Sequence, residues 1–205
     1  MNEIMAAAKK SWFLYPIAWR HKLAGVSDGF ITNQSLWDRL VFDGARAKVL
    51  GHVAATLRAV VVSGGALFYQ WFSVPYFLFS AGQIASDLLT PARIALSMPL
   101  VNAFTHPLVA APVLASHPLD LQDIPGLKVA HSGPPGVNVE VKLTGVNDDV
   151  VEAGGNPEGN LLVRGPPVGK QTGLEDYVHV AEAEEGWVPM EARASVLTSG
   201  AFLFI

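Results

Sequence analysis

The 205-residue sequence contains no cysteine, which excludes disulfides, cysteine-ligated zinc and thiol nucleophiles. Charge is also scarce. Asp, Glu, Lys and Arg together make up 16% of the chain and leave a formal net charge of −4. No basic stripe of the kind that tracks a phosphate backbone is present, so nucleic acid is not an expected partner. Several chemical signatures are missing as well. None of the six histidines stands in HExxH or H-x₃-H spacing. Ser63, in VVVSGG, lacks the G-x-S-x-G setting of a nucleophile elbow and reads as a turn serine. No G-x-x-x-x-G-K-[ST] loop occurs. The acidic group Asp148, Asp149 and Glu152 lacks the order of a calcium loop and reads as a solvated turn. The amino-terminal stretch lacks the long apolar region and small-residue cleavage site of a signal peptide, and the carboxyl end, AFLFI, carries no S-K-L type signal.

What the sequence does have is apolar surface to bury. Half of its residues are hydrophobic, too many for a disordered chain. Residues 59–86 contain no charge, a run long enough to cross a bilayer. Ser63, Gly64, Gly65, Gln70, Ser73, Pro75, Ser80 and Gly82 interrupt it. Its first part, RAVVVSGGAL, reads as a buried strand at 58–63 closed by a Gly64-Gly65 turn. A membrane-attached chain using 59–86 is the alternative.

Residues 1–49 read as mostly helical, with Trp37, Leu40, Val41, Ala45 and Val49 approximating a 3.6-residue stripe. Ser35 is placed to cap this helix with Asp38 three residues on, a variant of the capping box. A short helix is expected at 90–98 with Pro91 in its first turn, then an apolar strand at 100–104. Beyond residue 110, strands and turns take over. One strand is expected at 128–131. Another is expected at 137–143, where Val137, Val139, Val141 and Leu143 alternate with polar residues. Residues 161–164 should pair back on it, and a last hairpin should form around Ser199-Gly200. The reading is an α/β fold in two parts: 1–110, a partial nucleotide-binding α/β portion, and 111–205, a β-rich subdomain.

Three segments taken together resemble the adenylate-forming enzymes, specifically fungal long-chain acyl-CoA synthetases. They are LWDRLVFDGARAKVLG with LRAVVVSGGAL; LTPARIALSMPLVNAFTHPL; and SGPPGVNVEVKL, NPEGNLLVRGPPVGK and EEGWVPMEARASVLTSGAF. The resemblance implies the second half of a large adenylation domain and ATP-dependent activation of a fatty acid. In that reaction acyl-AMP forms first and CoA then displaces AMP, with ATP and Mg²⁺ as cofactors and the fatty acid and CoA as partners. It implies an adenine site made of Ser63, Gly64, Gly65 and Ala66, where a Gly-rich turn lets a planar base approach the backbone, together with Asn102, Ala103, Phe104 and Thr105. Phe104 matches the aromatic residue that stacks on adenine. The same ring without its neighbours would be a core aromatic.

The sequence departs from the family pattern at two of these places. After Phe104 stand Thr105, His106 and Pro107, with no carboxylate to hold magnesium. After Gly186, Trp187 and Pro189 the family's Thr-Gly-Asp is Met190, Glu191 and Ala192. Ala192 cannot accept hydrogen bonds from ribose, and a regular strand would turn Glu191 to the opposite face. No phosphate loop occurs within the 205 residues, and neither does the small domain that carries the family's Lys. The resemblance therefore implies a chain without catalysis of its own. Residues 67–87 have no counterpart in the family and read as an insert, either genuine or a translated intron. The expected setting is intracellular, cytoplasmic or peroxisomal, with peripheral membrane association and a partner that aids solubility.

Overall fold

The computed structural model describes residues 1–63, 84–122, 124, 126–169 and 186–205. Gly64, Gly65, Ala66 and most of the 67–87 segment lie outside the described residues, and so does most of the uncharged run. Among the described residues no helix is long and apolar enough to cross a membrane. The fold is mixed α/β, with two sheets. The chain divides into two units, each discontinuous in sequence: 1–61 with 84–101 and 117–128, and 62–83 with 102–116 and 129–205.

The first unit is helical. It holds α1 (Asn2–Ala8), α2 (Leu14–Ser27), a π-helical turn (Asp38–Phe42) running into α3 (Asp43–Leu50), the short α4 (Val53–Thr56) and α5 (Ser86–Leu96). Its core gathers Ile4, Ala8, Ala18, Val26, Val41, Phe42, Ala45, Ile94 and Ala95. The expected cap forms. The Asp38 N–H donates to Ser35 Oγ at 3.2 Å, and the Ser35 N–H donates to the Asp38 carboxylate at 3.1 Å, so the two residues satisfy each other reciprocally. The helix that follows is not a regular 3.6-residue stripe. Its first turn is π-helical, which shifts the register and leaves Leu40 51% exposed while Phe42 is fully buried.

That turn also carries Asp38 inward. The carboxylate accepts from Lys22 Nζ at 2.9 Å, Arg46 Nη2 at 3.0 Å and Ser97 Oγ at 2.6 Å, and none of Asp38, Lys22 and Arg46 is more than 6% exposed at its side chain. Burial alone would push the Asp38 carboxyl up, but hydrogen bonds from Ser35, Ser97 and Lys22 outweigh it and hold the group below its ordinary range. Burial pushes Lys22 down, against the opposing pull of Asp38.

Helix α5 starts four residues earlier than expected, so Pro91 sits inside it rather than in its first turn. Tertiary contacts fix the earlier start, since the Ser86 N–H donates to the Lys128 carbonyl at 3.1 Å. Arg93, fully buried, donates to the carbonyls of Asp120 and Leu121 and ties α5 to the 117–128 segment.

Strands β1 (Val60–Ser63), β2 (Leu100–Phe104) and β3 (Leu114–Ala115) form one sheet in that order. In the second unit, β4 (Glu140–Thr144), β5 (Glu158–Arg164), β6 (Val188–Val196) and β7 (Phe202–Phe204) form an antiparallel meander, with the short α6 (Asp148–Glu152) between β4 and β5. The 161–164 pairing and the last hairpin form as expected, and Gly200 takes the positive φ of 79° that its turn needs.

Strand 137–143 is corrected to Glu140–Thr144. Val137 is 85% exposed and Asn138 adopts φ 63°, so these two residues turn the chain before the alternating pattern begins. Residues 128–131 make no strand, because tertiary hydrogen bonds claim this backbone. Asn102 Nδ2 donates to the carbonyls of Ala130 and His131, at 3.2 and 3.0 Å. Gly133 follows at φ 84°, where a Cβ would lie 2.2 Å from the Ala115 carbonyl oxygen, a close approach that only glycine permits. The Ser132 N–H then donates to the Phe202 carbonyl and the Phe202 N–H to the Gly133 carbonyl, at 2.8 and 3.0 Å. The SGPPG segment is thus threaded between β3 and β7.

Candidate functional site

Of the residues read as an adenine site, Gly64, Gly65 and Ala66 lie outside the described residues, and Ser63 and Thr105 meet at the carboxyl ends of β1 and β2. Ser63 Oγ and Thr105 Oγ1 lie 2.6 Å apart, a surface hydroxyl pair linking the two strand ends. Asn102, Ala103 and Phe104 are buried. Asn102 spends both amide protons on the 130–131 carbonyls, while its Oδ1 is buried without a described donor. Ala103 pairs with Ala115, and Phe104 with Leu114. The Phe104 ring is 2% exposed and packs 4.5 Å, centroid to centroid, from Phe204, in the core formed with Val113, Leu114, Val139, Leu161 and Met190. Phe104 is a core aromatic in this structure, and Thr105 presents the polar group of this edge.

His106 is a feature of this edge that spacing in the sequence could not reveal. It is 9% exposed, and its Nδ1 accepts from the Leu108 N–H at 3.2 Å, which places the proton of the neutral ring on Nε2. Burial pushes its pKa down, and the nearby Glu191 carboxylate pulls the other way. Glu191 itself stands in an irregular stretch of β6. Between Asn160 and Leu162 on β5 there is one residue, whereas their partners Arg193 and Pro189 on β6 are separated by Met190, Glu191 and Ala192, and Glu191 takes φ 51°. The face of Glu191 cannot be read from period-2 alternation, because the strand is not regular where the family motif departs. The signal in the sequence was the run PMEA itself, a carboxylate one place early.

Because the folded state keeps His106 below its unfolded pKa, it binds fewer protons there than the unfolded chain does. Its contribution to stability is full above about 6.5 and is lost as pH falls through the folded value. His106→Asn, whose short side chain can keep the turn to residue 108, should flatten the fall in Tm between about pH 7 and about pH 5 relative to the parent. An unchanged slope by thermal denaturation would assign the pH dependence elsewhere.

Gly186, at φ 79°, leads into Trp187, whose ring is covered by Lys142 Nζ at 4.6 Å and Arg164 Cζ at 4.7 Å. The Gly-Trp pair thus anchors the start of β6 on the hairpin β4–β5. Among the described residues no group of three or more Asp, Glu and His could hold a metal ion.

No family model and no curated protein sequence matches the chain. Solved structures do match it. O-succinylbenzoate coenzyme A synthetase (MenE) of Bacillus subtilis in complex with AMP aligns with a TM-score of 0.51 and 16% identity over 78% of this chain and 29% of that one. The same enzyme with the acyl-adenylate OSB-AMP gives 0.51 and 16% over 80% and 37%. With ATP and magnesium it gives 0.50 and 16% over 78% and 29%. The chain spans between 29% and 37% of these relatives' length. The described residues share the fold of part of an adenylate-forming CoA synthetase.

Proposed function

We propose that this chain is a degenerate portion of an adenylate-forming ligase of the fungal long-chain fatty acid type, one that retains an adenylate-binding edge without carrying out the reaction itself. Its subdivision follows the same reading: 1–110 as the partial nucleotide-binding portion, 111–205 as the β-rich subdomain, and 67–87 as an insert. The parent reaction joins a fatty acid carboxylate to the α-phosphorus of ATP, releasing diphosphate, and then transfers the acyl group to the CoA thiol with loss of AMP.

The observation that carries this reading is the Ser63–Thr105 hydroxyl pair, at the strand ends where the family resemblance places its adenine edge, in a chain that shares part of the fold of a CoA synthetase. Glu191 supplies the carboxylate that ribose hydroxyls would need, reached through the bulge rather than from position 192. Gly64, Gly65 and Ala66 complete the edge in this reading.

The residues do not fit the family's magnesium. Magnesium takes oxygen ligands, usually one or two carboxylates with substrate phosphates, and Thr105, His106, Pro107 and Leu108, which follow Phe104, include no carboxylate. Loss of positioned electrostatic stabilisers slows catalysis by about 10²–10³ per group, which is the basis for expecting no turnover.

Calorimetry of the purified chain separates the outcomes. Micromolar binding of a non-hydrolysable acyl-adenylate analogue, weakened by Glu191→Ala, and no acyl-CoA formation from ATP, fatty acid and CoA are the expected results. No heat with either ATP or the analogue would reduce the likeness to shared fold, and measurable turnover would overturn the inactive reading.

A further inference from the structure

The turn at residues 9–13, between α1 and α2, carries Lys9, Lys10, Ser11, Trp12 and Phe13. Trp12 is 80% exposed and Phe13 65%, the two rings meeting edge to face at 5.9 Å. Pro16 and Ile17 continue the exposed apolar surface onto the first turn of α2, and Arg20 and His21 follow on the exposed side of that helix. No Asp or Glu occurs between Glu3 and Asp28. Lys22, in the same stretch, is occupied by Asp38, so Lys9, Lys10 and Arg20 are the cations left facing solvent. A chain of net charge −4 thus presents a locally basic turn tipped with two adjacent aromatic rings.

We propose that this turn is a peripheral membrane anchor that seats on an anionic lipid bilayer. The Trp12 and Phe13 rings enter the headgroup layer while Lys9, Lys10 and Arg20 stay among the anionic headgroups. Tryptophan is enriched at that depth because its ring is apolar and its N–H still finds a hydrogen-bond partner. Lysine and arginine near an anionic surface each strengthen attachment about fivefold. Both requirements meet within five consecutive residues. The absence of acidic residues around the turn favours a uniformly anionic surface over the mixed charge at the rim of most protein partners. The anchor stands independently of the ligase reading, because none of its residues belongs to the adenylate edge.

Flotation of the full chain with vesicles of phosphatidylcholine, with and without phosphatidylserine, tests it. Attachment should appear on the phosphatidylserine vesicles and fall as salt is raised. Lys9→Gln/Lys10→Gln should weaken it roughly 10- to 30-fold, and Trp12→Ala/Phe13→Ala should abolish it. Both variants should keep the parent's circular dichroism spectrum and Tm, since these side chains face solvent. Quenching by brominated lipid should be lost in Trp12→Phe. Three results would overturn the proposal: no flotation with either vesicle, equal flotation with both, or binding that survives Trp12→Ala/Phe13→Ala. A dimer in light scattering that this double variant dissolves, without vesicle binding, would overturn it in favour of a second copy.

Discussion

Asp38→Ala should lower the unfolding free energy by about 3–5 kcal/mol, among the largest single-residue losses expected in this chain. The reason is asymmetric. Asp38 is fully buried and takes hydrogen bonds from Lys22, Arg46, Ser97 and Ser35. Without it Lys22 loses its carboxylate and keeps the Thr32 carbonyl, while Arg46 retains Ser97, the Ala95 carbonyl and Asp43, whose side chain is 50% exposed. Lys22 would then hold its charge in a buried site with no carboxylate against it, beside a second cation. Asp43→Ala should cost less than about 1 kcal/mol, because that bond is half in solvent. Replacing Lys22, Asp38 and Arg46 together by apolar residues of similar volume should recover most of the Asp38→Ala loss, since no charge would remain unpaired. Urea denaturation followed by circular dichroism measures all three. An Asp38→Ala loss below about 1 kcal/mol would show that water reaches and solvates the site.

Phe104→Ala should cost a similar amount, about 3–5 kcal/mol, through the cavity left in the second unit's core. The ring is almost fully buried against Phe204 and Leu114, and truncation removes it from strand β2 beside the Thr105 edge. This position also separates the two readings of the ring. Phe104→Leu keeps much of the volume and should destabilise less. If Phe104 can also present its face to adenine, that substitution should weaken binding of the acyl-adenylate analogue tenfold or more, as loss of a base-stacking ring does. If binding to the folded variant is unchanged, the ring serves packing alone and the hydroxyls and Glu191 carry the adenylate edge.

Parts of this molecule were legible in the residues, and the reason differs from element to element. The Ser35–Asp38 cap, the β4–β5 pairing and the hairpin at Gly200 depend on neighbours close in sequence, so spacing and turn chemistry reveal them. The apolar run at 100–104 formed the strand its composition suggests. The start of α5, the shortened β4 and the irregular 128–131 segment were not legible. Their backbone is held by Lys128, by a turn at Asn138 and by the Asn102 amide, and each overrides a local preference. Two units each assembled from separate stretches of chain are likewise invisible to a reading that proceeds along the sequence.

The candidate site divides the same way. The order of motifs pointed to an adenylate-forming fold, and the lack of a carboxylate after Phe104 and at Ala192 was plain from the residues themselves. The sequence by itself determined which chemical groups are available: no thiol, few charges, an apolar chain that must fold, and no carboxylate in the run that follows Phe104. Only the tertiary structure decided where those groups go. It turned Asp38 inward through a π-helical turn, drew Phe104 into the core, and broke the register of β6 at Glu191. Local periodicity sets a side chain's face only while helix or strand stays regular. Where packing and buried hydrogen bonds outweigh the small cost of a turn or a bulge, the register is set by contacts from distant parts of the chain.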